Sequence, residues 1–269
     1  MALSSANYWL FDHARLAAAP WIQQIEFRTE VGSTNDLALE LARAANLATP
    51  LLVLAERQTA GRGRGANRWW SAPGALTFSL VVDPARWGLE STAWHQLSLV
   101  AAVAVCETVE KHAPGILPGI RWPNDVYLGG RKVAGILVEI AVGGPQAPRR
   151  LVMGVGLNVN NSFTEAPDAI RGIGTSLGDA SGRPQHMTDV LLLLLERLKH
   201  NLVRLAAGDS DLFDCWQRRC LLRGRTVEID LAGRRVRGFC GGVARDGALE
   251  LETAVGTQRF FGGVLTAVE

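Results

Sequence analysis

The chain has almost no lysine. Of its basic residues only Lys111, Lys132 and Lys199 are lysines, against 25 arginines. It contains no Gly-Lys dipeptide, which excludes a Walker A phosphate loop. Its four cysteines (Cys106, Cys215, Cys220 and Cys240) form no C-x-x-C pair, and no two histidines stand at helical ligand spacing. The common zinc sites are therefore excluded, and the cysteines read as buried free thiols in a reducing compartment. The first twenty residues lack a basic start and carry Asp12 and Arg15 within their apolar part, a poor secretory signal. The run "VLLLLL" (Val190 to Leu195) is too short to span a membrane. A cytoplasmic protein without a membrane partner is expected. Net charge is only +2, so composition gives no support to a nucleic-acid partner.

What is present is enough for a full core: 269 residues, 48% of them hydrophobic, sufficient for one or two domains. "WIQQIEFRTEV" alternates like a strand and breaks at Gly32, after which Ser33 or Thr34 can cap a helix over "DLALELARAANL". That helix would place Leu37, Leu41 and Ala45 on its inner face. "PLLVLAERQTA" and "ALTFSLVV" read as strands, and "WHQLSLVAAVAVCETVEKHAP" as a core helix ended by Pro114. "GIRW", "RKVAGILVEIAV" and "RRLVMGVGLNVN" are further strands, the last two joined by a hairpin loop over "GGPQAPR". Thr188 opens an amphipathic helix with Leu191, Leu194, Leu195, Leu198, Leu202 and Leu205 inside, and "SDLFDCWQRRC" is a shorter one. From Leu221 the pattern changes to short strands separated by "AGR", "RDG" and "AVG" turns, a small β-barrel. The fold class is α+β, with a main domain over 1–220 and a small β domain over 221–269.

Four stretches carry chemistry. "AGRGRGANRWW" (Ala60 to Trp70) fails as a dinucleotide fingerprint, because Gly61-x-Gly63-x-Gly65 is not G-x-G-x-x-G. As an RNA-binding arginine–glycine segment it would repeat in a disordered tail, whereas it occurs once between two strands. A solvated turn would leave Trp69 and Trp70 exposed at a cost. A glycine loop with guanidinium groups suits instead a phosphate or a carboxylate. "RWPNDVYL" reads by itself as a Pro-Asn-Asp turn, although Trp122 beside Asn124 and Asp125 would suit a pocket wall. In "RKVAGILVEI", a strand, Lys132 stands out: a chain that prefers arginine keeps here a compact point charge, able to sit between two oxyanions. In "GVGLNVN", Gly154 and Gly156 let a ligand approach the backbone, and Asn158 could read a polar edge.

The order of these stretches is more telling than any one of them. S-T-N, Q-x-x-G-R-G-R with a tryptophan following, W-P-N-D, K-V-A-G-I-L-V-E and G-x-G-x-N together resemble the biotin–protein ligases, from about Ser33 to Asn160. The meander "GRTVEIDLAGRRVRGFCGGVARDGALELET" is similar to that family's small C-terminal SH3-like barrel. The resemblance implies a mixed-sheet catalytic domain of the biotin/lipoate ligase type. It also implies ATP-dependent activation of biotin to biotinyl-5′-AMP, with Mg²⁺, and transfer to one lysine of a biotin carboxyl carrier protein.

By the same resemblance, Arg64 and Lys132 are catalytic, stabilising the carboxylate–phosphate junction. Ser33, Thr34, Asn35, Gln58, Arg62, Gly63, Gly135 and Gly154 join them around biotin. Trp69, Asp125 and Asn158 join Arg64 and Lys132 around ATP, Asp125 assisting metal or ribose–phosphate placement, and no multi-ligand protein metal site is implied. Some members carry further arginines where this chain has Gly65 and Asn67. The bifunctional members bind DNA through an N-terminal winged helix-turn-helix. Here the residues before Ser33 hold no such pattern, so a monofunctional ligase without sequence-specific DNA binding is expected. A homodimer is left open. The alternatives are a lipoate or octanoate ligase or transferase of the same fold, and a biotin-binding regulator without turnover, which would need no Lys132.

Overall fold

The computed structural model describes residues 8, 10–142 and 148–269. The chain runs α1 (His13–Ala17), β1 (Gln24–Val31), α2 (Thr34–Leu41), β2 (Leu51–Gln58), β3 (Ala75–Val82), α3 (Leu97–His112), β4 (Pro118–Arg121), β5 (Asp125–Leu128), β6 (Arg131–Ala141) and β7 (Arg150–Asn158). It continues through α4 (Asp168–Arg171), α5 (Leu177–Ser181), α6 (Met187–Ala206) and α7 (Ser210–Arg219). The strands β8 (Thr226–Leu231), β9 (Arg234–Val243), β10 (Leu249–Thr253), β11 (Gly256–Phe260) and β12 (Val264–Val268) follow.

Seven strands form a mixed sheet in the order β1-β2-β3-β7-β6-β5-β4, parallel only between β1 and β2. Strands β3 and β7 are buried along their whole length, as runs covered on both faces must be. Alternation along β2 shows the layering. Leu51 and Val53 face Ala38 and Ala42 on the α2 side, whereas Leu52 and Leu54 face the core that holds α3 and α6. Helix α3 is buried on nearly every side, and α6 turns Leu191, Leu194, Leu195, Leu198 and Leu202 inward.

The remaining strands form an antiparallel sheet in the order β11-β10-β9-β8-β12, a small barrel-like domain. Val227, Ile229, Cys240, Leu249 and Leu251 belong to the same apolar core as α3 and α6, so the two sheets are packed on each other.

Three expectations are corrected. Helix α2 ends at Leu41, leaving Ala45 exposed, because the buried guanidinium of Arg150 takes the carbonyls of Ala42, Ala44 and Ala45 and caps the helix end. "DVYL" is a strand, since β5 completes the pairing between β4 and β6 and the Pro-Asn-Asp turn occupies only its entrance. Of the cysteines, only Cys106 and Cys240 are buried; Cys215 and Cys220 are partly exposed, and all four are free. The loop over "GGPQAPR" lies mostly outside the described residues. No helix among the described residues is long and apolar enough to cross a membrane.

Candidate active site

The arginine–glycine stretch between β2 and β3 folds into a tight hairpin. The amide of Gly63 donates to Asn67, that of Asn67 to Arg64, and that of Trp69 to Gly61. Gly65 stands at the tip with φ +65°, a left-handed conformation that a side chain would strain. The hairpin covers a cavity of about 580 Å³ on the large sheet, closed at one side by Val264 and Leu265 of the small one. All thirteen residues singled out above for the site line this cavity. Among the described residues, five cationic side chains border it (Arg62, Arg64, Arg68, Arg121 and Lys132) against one carboxylate, Asp125. Such a lining suits an anion, or two.

At one end the start of α2 builds a polar floor. Ser33 caps the helix, accepting from the Asp36 amide at 3.4 Å. The Gln58 carbonyl oxygen accepts from the Thr34 amide at 2.7 Å and faces the Thr34 hydroxyl at 3.1 Å. Buried Ser79 of β3 stands 2.5 Å from Asn35 Oδ1 and 2.9 Å from Thr34 Oγ1. Ser79 has one hydroxyl proton and Asn35 Oδ1 can only accept, so the proton goes to Asn35. Asn35 reaches this place because Gly154 lacks a side chain: a Cβ there would fall 2.1 Å from Asn35 Oδ1. Asn35 Nδ2 donates to Leu137 O and to Glu139 Oε2.

The two arginines of the hairpin are held differently. Arg62 makes a forked contact with Glu139, at 3.1 and 2.6 Å, and its Nε lies 2.8 Å from Asp36. The Glu139 hydrogen bonds raise its pKa above the ordinary guanidinium value, against the opposing effect of burial. Arg64 reaches across to the small domain and donates to the Gly263 carbonyl. Burial lowers its pKa, with Asp125 opposing, and it has no carboxylate hydrogen bond among the described residues.

Lys132 owes its direction to a bulge. Tyr127 pairs with Lys132 and Val126 with Ala134, which leaves Val133 as an extra residue in β6. Such a bulge re-aims neighbouring side chains. Lys132 Nζ lies 2.6 Å from Asp125 Oδ1 in the cavity. Its backbone is clamped by residues 173–175: its amide donates to Ile173, and that of Thr175 donates to its carbonyl. Asn124 locks the turn below, its side chain donating to Ile136 O at 2.8 Å. Trp122 borders the cavity, but its indole N–H donates to Gly247 of the small domain, making it mainly an anchor between the sheets.

The other end is more apolar. The Trp69 indole lies over Gly156, and its N–H has no partner among the described residues. Beside it is buried Asn158, whose Oδ1 accepts from Asn161. Phe163, Ile170 and Ile173 complete this wall, with Phe163 pressed onto Gly174, where a Cβ would overlap the ring. Sequence reasoning did not identify these residues, nor Ser79, Glu139, Val264 or Leu265. The only signal for the wall was a set of lone apolar residues in an otherwise loop-like stretch.

Comparison with known proteins follows the same outline. Residues 28–158 match the model of the biotin/lipoate A/B protein ligase family. The chain is 33% identical to the bifunctional ligase/repressor BirA of Bacillus spizizenii over 249 residues, covering 89% of this chain and 72% of that one. It is 34% identical to the biotin–[acetyl-CoA-carboxylase] ligase of Mycobacterium tuberculosis, covering 86% and 82%. Among solved structures, the biotin protein ligase of Aquifex aeolicus in complex with biotin and ATP superimposes with a TM-score of 0.77 at 28% identity, over 92% of this chain and 99% of that one.

Proposed function

The chain belongs to the biotin–protein ligase family, and from that premise we propose how its cavity divides the work. The protein activates biotin with ATP and transfers it to a biotin carboxyl carrier protein. The observation that carries the division of the site is the convergence of a buried polar floor, a cationic middle and an apolar aromatic wall in one cavity.

In this reading the floor of Ser33, Thr34, Asn35 and Gln58 receives biotin's ureido ring, with Gly135 and Gly154 giving room beside it. The backbone at Arg62 and Gly63 holds the valerate end. Arg64 and Lys132 then stand where that carboxylate meets the α-phosphate of ATP. A carboxylate oxygen bonds to phosphorus, the bond to the bridging oxygen breaks, and pyrophosphate leaves. Two anions approach one another in this step, so fixed cations lower its barrier. Trp69 packs on adenine and Asn158 contacts the nucleotide. In the second step the carrier lysine's neutral amine attacks the acyl carbon, AMP leaves, and the amine loses a proton.

Mg²⁺ suits the donor set present. A magnesium ion usually takes one or two protein carboxylates and completes its shell with phosphates and water. Asp125 would hold it, and the ion would neutralise triphosphate charge. The catalytic unit is residues 1–220 and the small domain residues 221–269, the latter supplying part of the cavity wall.

Label transfer tests the reading. The protein with ATP, Mg²⁺ and radiolabelled biotin should label a carrier domain, and replacing biotin by lipoate should not. Labelling from lipoate alone would assign the fold to the other branch of the family. Tight biotin binding without pyrophosphate release would make it a regulator.

A further inference from the structure

We infer that Glu139 is a positioning residue for biotin, setting the pocket from behind without lining it. The inference rests on the biotin reading of the cavity. Glu139 follows Gly135 and Leu137 at two-residue spacing on β6, so all three share one face of the sheet. The first two border the cavity, whereas Glu139 lies just beyond it. Its carboxylate joins two segments at once: Arg62 of the hairpin and Asn35 at the start of α2.

The bonding arithmetic makes this junction specific. Both amide protons of Asn35 are committed, one to Leu137 O and one to Glu139, while its oxygen receives Ser79. Only one orientation of the Asn35 amide satisfies all three partners. Glu139 therefore fixes which edge Asn35 presents, and through Ser79 it constrains the hydroxyl of Thr34. The same carboxylate holds the Arg62 guanidinium in a fork, which pins the Arg62–Gly63 backbone. A neutral residue here would release one contact from Asn35 and the charge pairing from Arg62, leaving exposed Asp36 as the remaining counter-ion. Neither change touches Lys132, Arg64 or the aromatic wall.

Removing such support weakens ground-state and transition-state binding of biotin alike, which raises KM and spares kcat. Steady-state pyrophosphate release by Glu139→Gln should show a biotin KM raised about tenfold. Its kcat at saturating biotin should stay within about twofold and its ATP KM unchanged; Glu139→Asp should restore most of the loss. Should Glu139→Gln not accumulate as folded protein, Arg62→Lys carries the test, since it keeps the charge and loses the fork: the biotin KM should again rise with the ATP KM unmoved. An unchanged biotin KM in the folded variant overturns the inference, as does an equal rise in KM for both substrates. Absence of biotin-dependent pyrophosphate release in the wild type would instead overturn the substrate reading.

Discussion

Trp69 rests on Gly156 with no room to spare: a Cβ on the glycine would stand 2.3 Å from the indole Cε2. Gly156→Ala must therefore displace the ring from the cavity wall. Stacking of an aromatic ring on a base contributes on the order of 1–3 kcal/mol, so the ATP KM should rise about tenfold. The biotin KM should move much less, because the polar floor lies at the other end. Initial rates with each substrate varied in turn would check this. Equal rises in both would place Trp69 elsewhere in the mechanism.

Lys132 and Asp125 are joined at 2.6 Å, on neighbouring strands offset by the bulge at Val133. Lys132→Ala should lower the rate of adenylate formation by about 10²- to 10³-fold, the usual cost of removing one fixed donor from a developing anion. Lys132→Arg should also be poor, since a planar fork cannot take the place of a point charge beside Asp125. Pyrophosphate release at the wild-type rate by Lys132→Ala would refute the assigned chemistry.

Arg64 is the cation of the hairpin whose described hydrogen bond goes to a neutral carbonyl, that of Gly263. If it also holds the acyl-phosphate, Arg64→Gly loses a charge-assisted contact of roughly 1.5–3 kcal/mol, and the intermediate should escape about ten to a hundred times faster. Escaped adenylate would label bystander lysines. With albumin, ATP and biotin present, blots should show more biotinylated albumin for the variant than for the wild type. A variant that forms adenylate yet labels albumin no better would end this role.

Cys220 and Cys240 form a thiol pair between the end of α7 and the small domain. The neighbouring Cys240 thiol lowers Cys220 to about 7, and Cys240 is in turn raised by Cys220 and by burial. Cys220 should alkylate with iodoacetamide half-maximally near pH 7, followed by mass spectrometry; a midpoint near the ordinary thiol value of 9.0 would contradict the pairing. The sign of the linkage follows. An acid whose folded pKa is depressed adds stability as pH rises from about 7 towards 9, and that gain is lost as pH falls back through about 7. Above the ordinary thiol range Cys240 acts in the opposite sense. Urea titrations of wild type and Cys220→Ser at several pH values would compare the two slopes.

Residue types with unusual backbone or charge demands made much of the cavity legible. A cationic glycine hairpin, a lone lysine beside a Pro-Asn-Asp turn, and glycines inside an apolar strand each broke a local pattern. Their convergence could not be read from one another, but it followed from the family likeness of their order. What stayed hidden has no local signature. Glu139 is an ordinary polar residue at the end of an alternating strand, and Ser79 sits in a run buried on both faces. Their significance comes from partners 44 to 104 residues away. Strand β5 was obscured because four residues after a turn signal are too few to show a period. Ala45 read as buried because the helical period ran on past the point where Arg150, more than a hundred residues later, ends the helix.

The contact between Arg64 and Gly263 spans 199 residues, and with Val264 and Leu265 it makes one wall of the cavity a loan from the second sheet. Closing so long a stretch of chain carries an entropic cost, so this wall should form late in folding. A ligand seated there stabilises only the state in which both sheets are closed upon it. Filling the cavity should therefore raise the melting temperature of both sheets together.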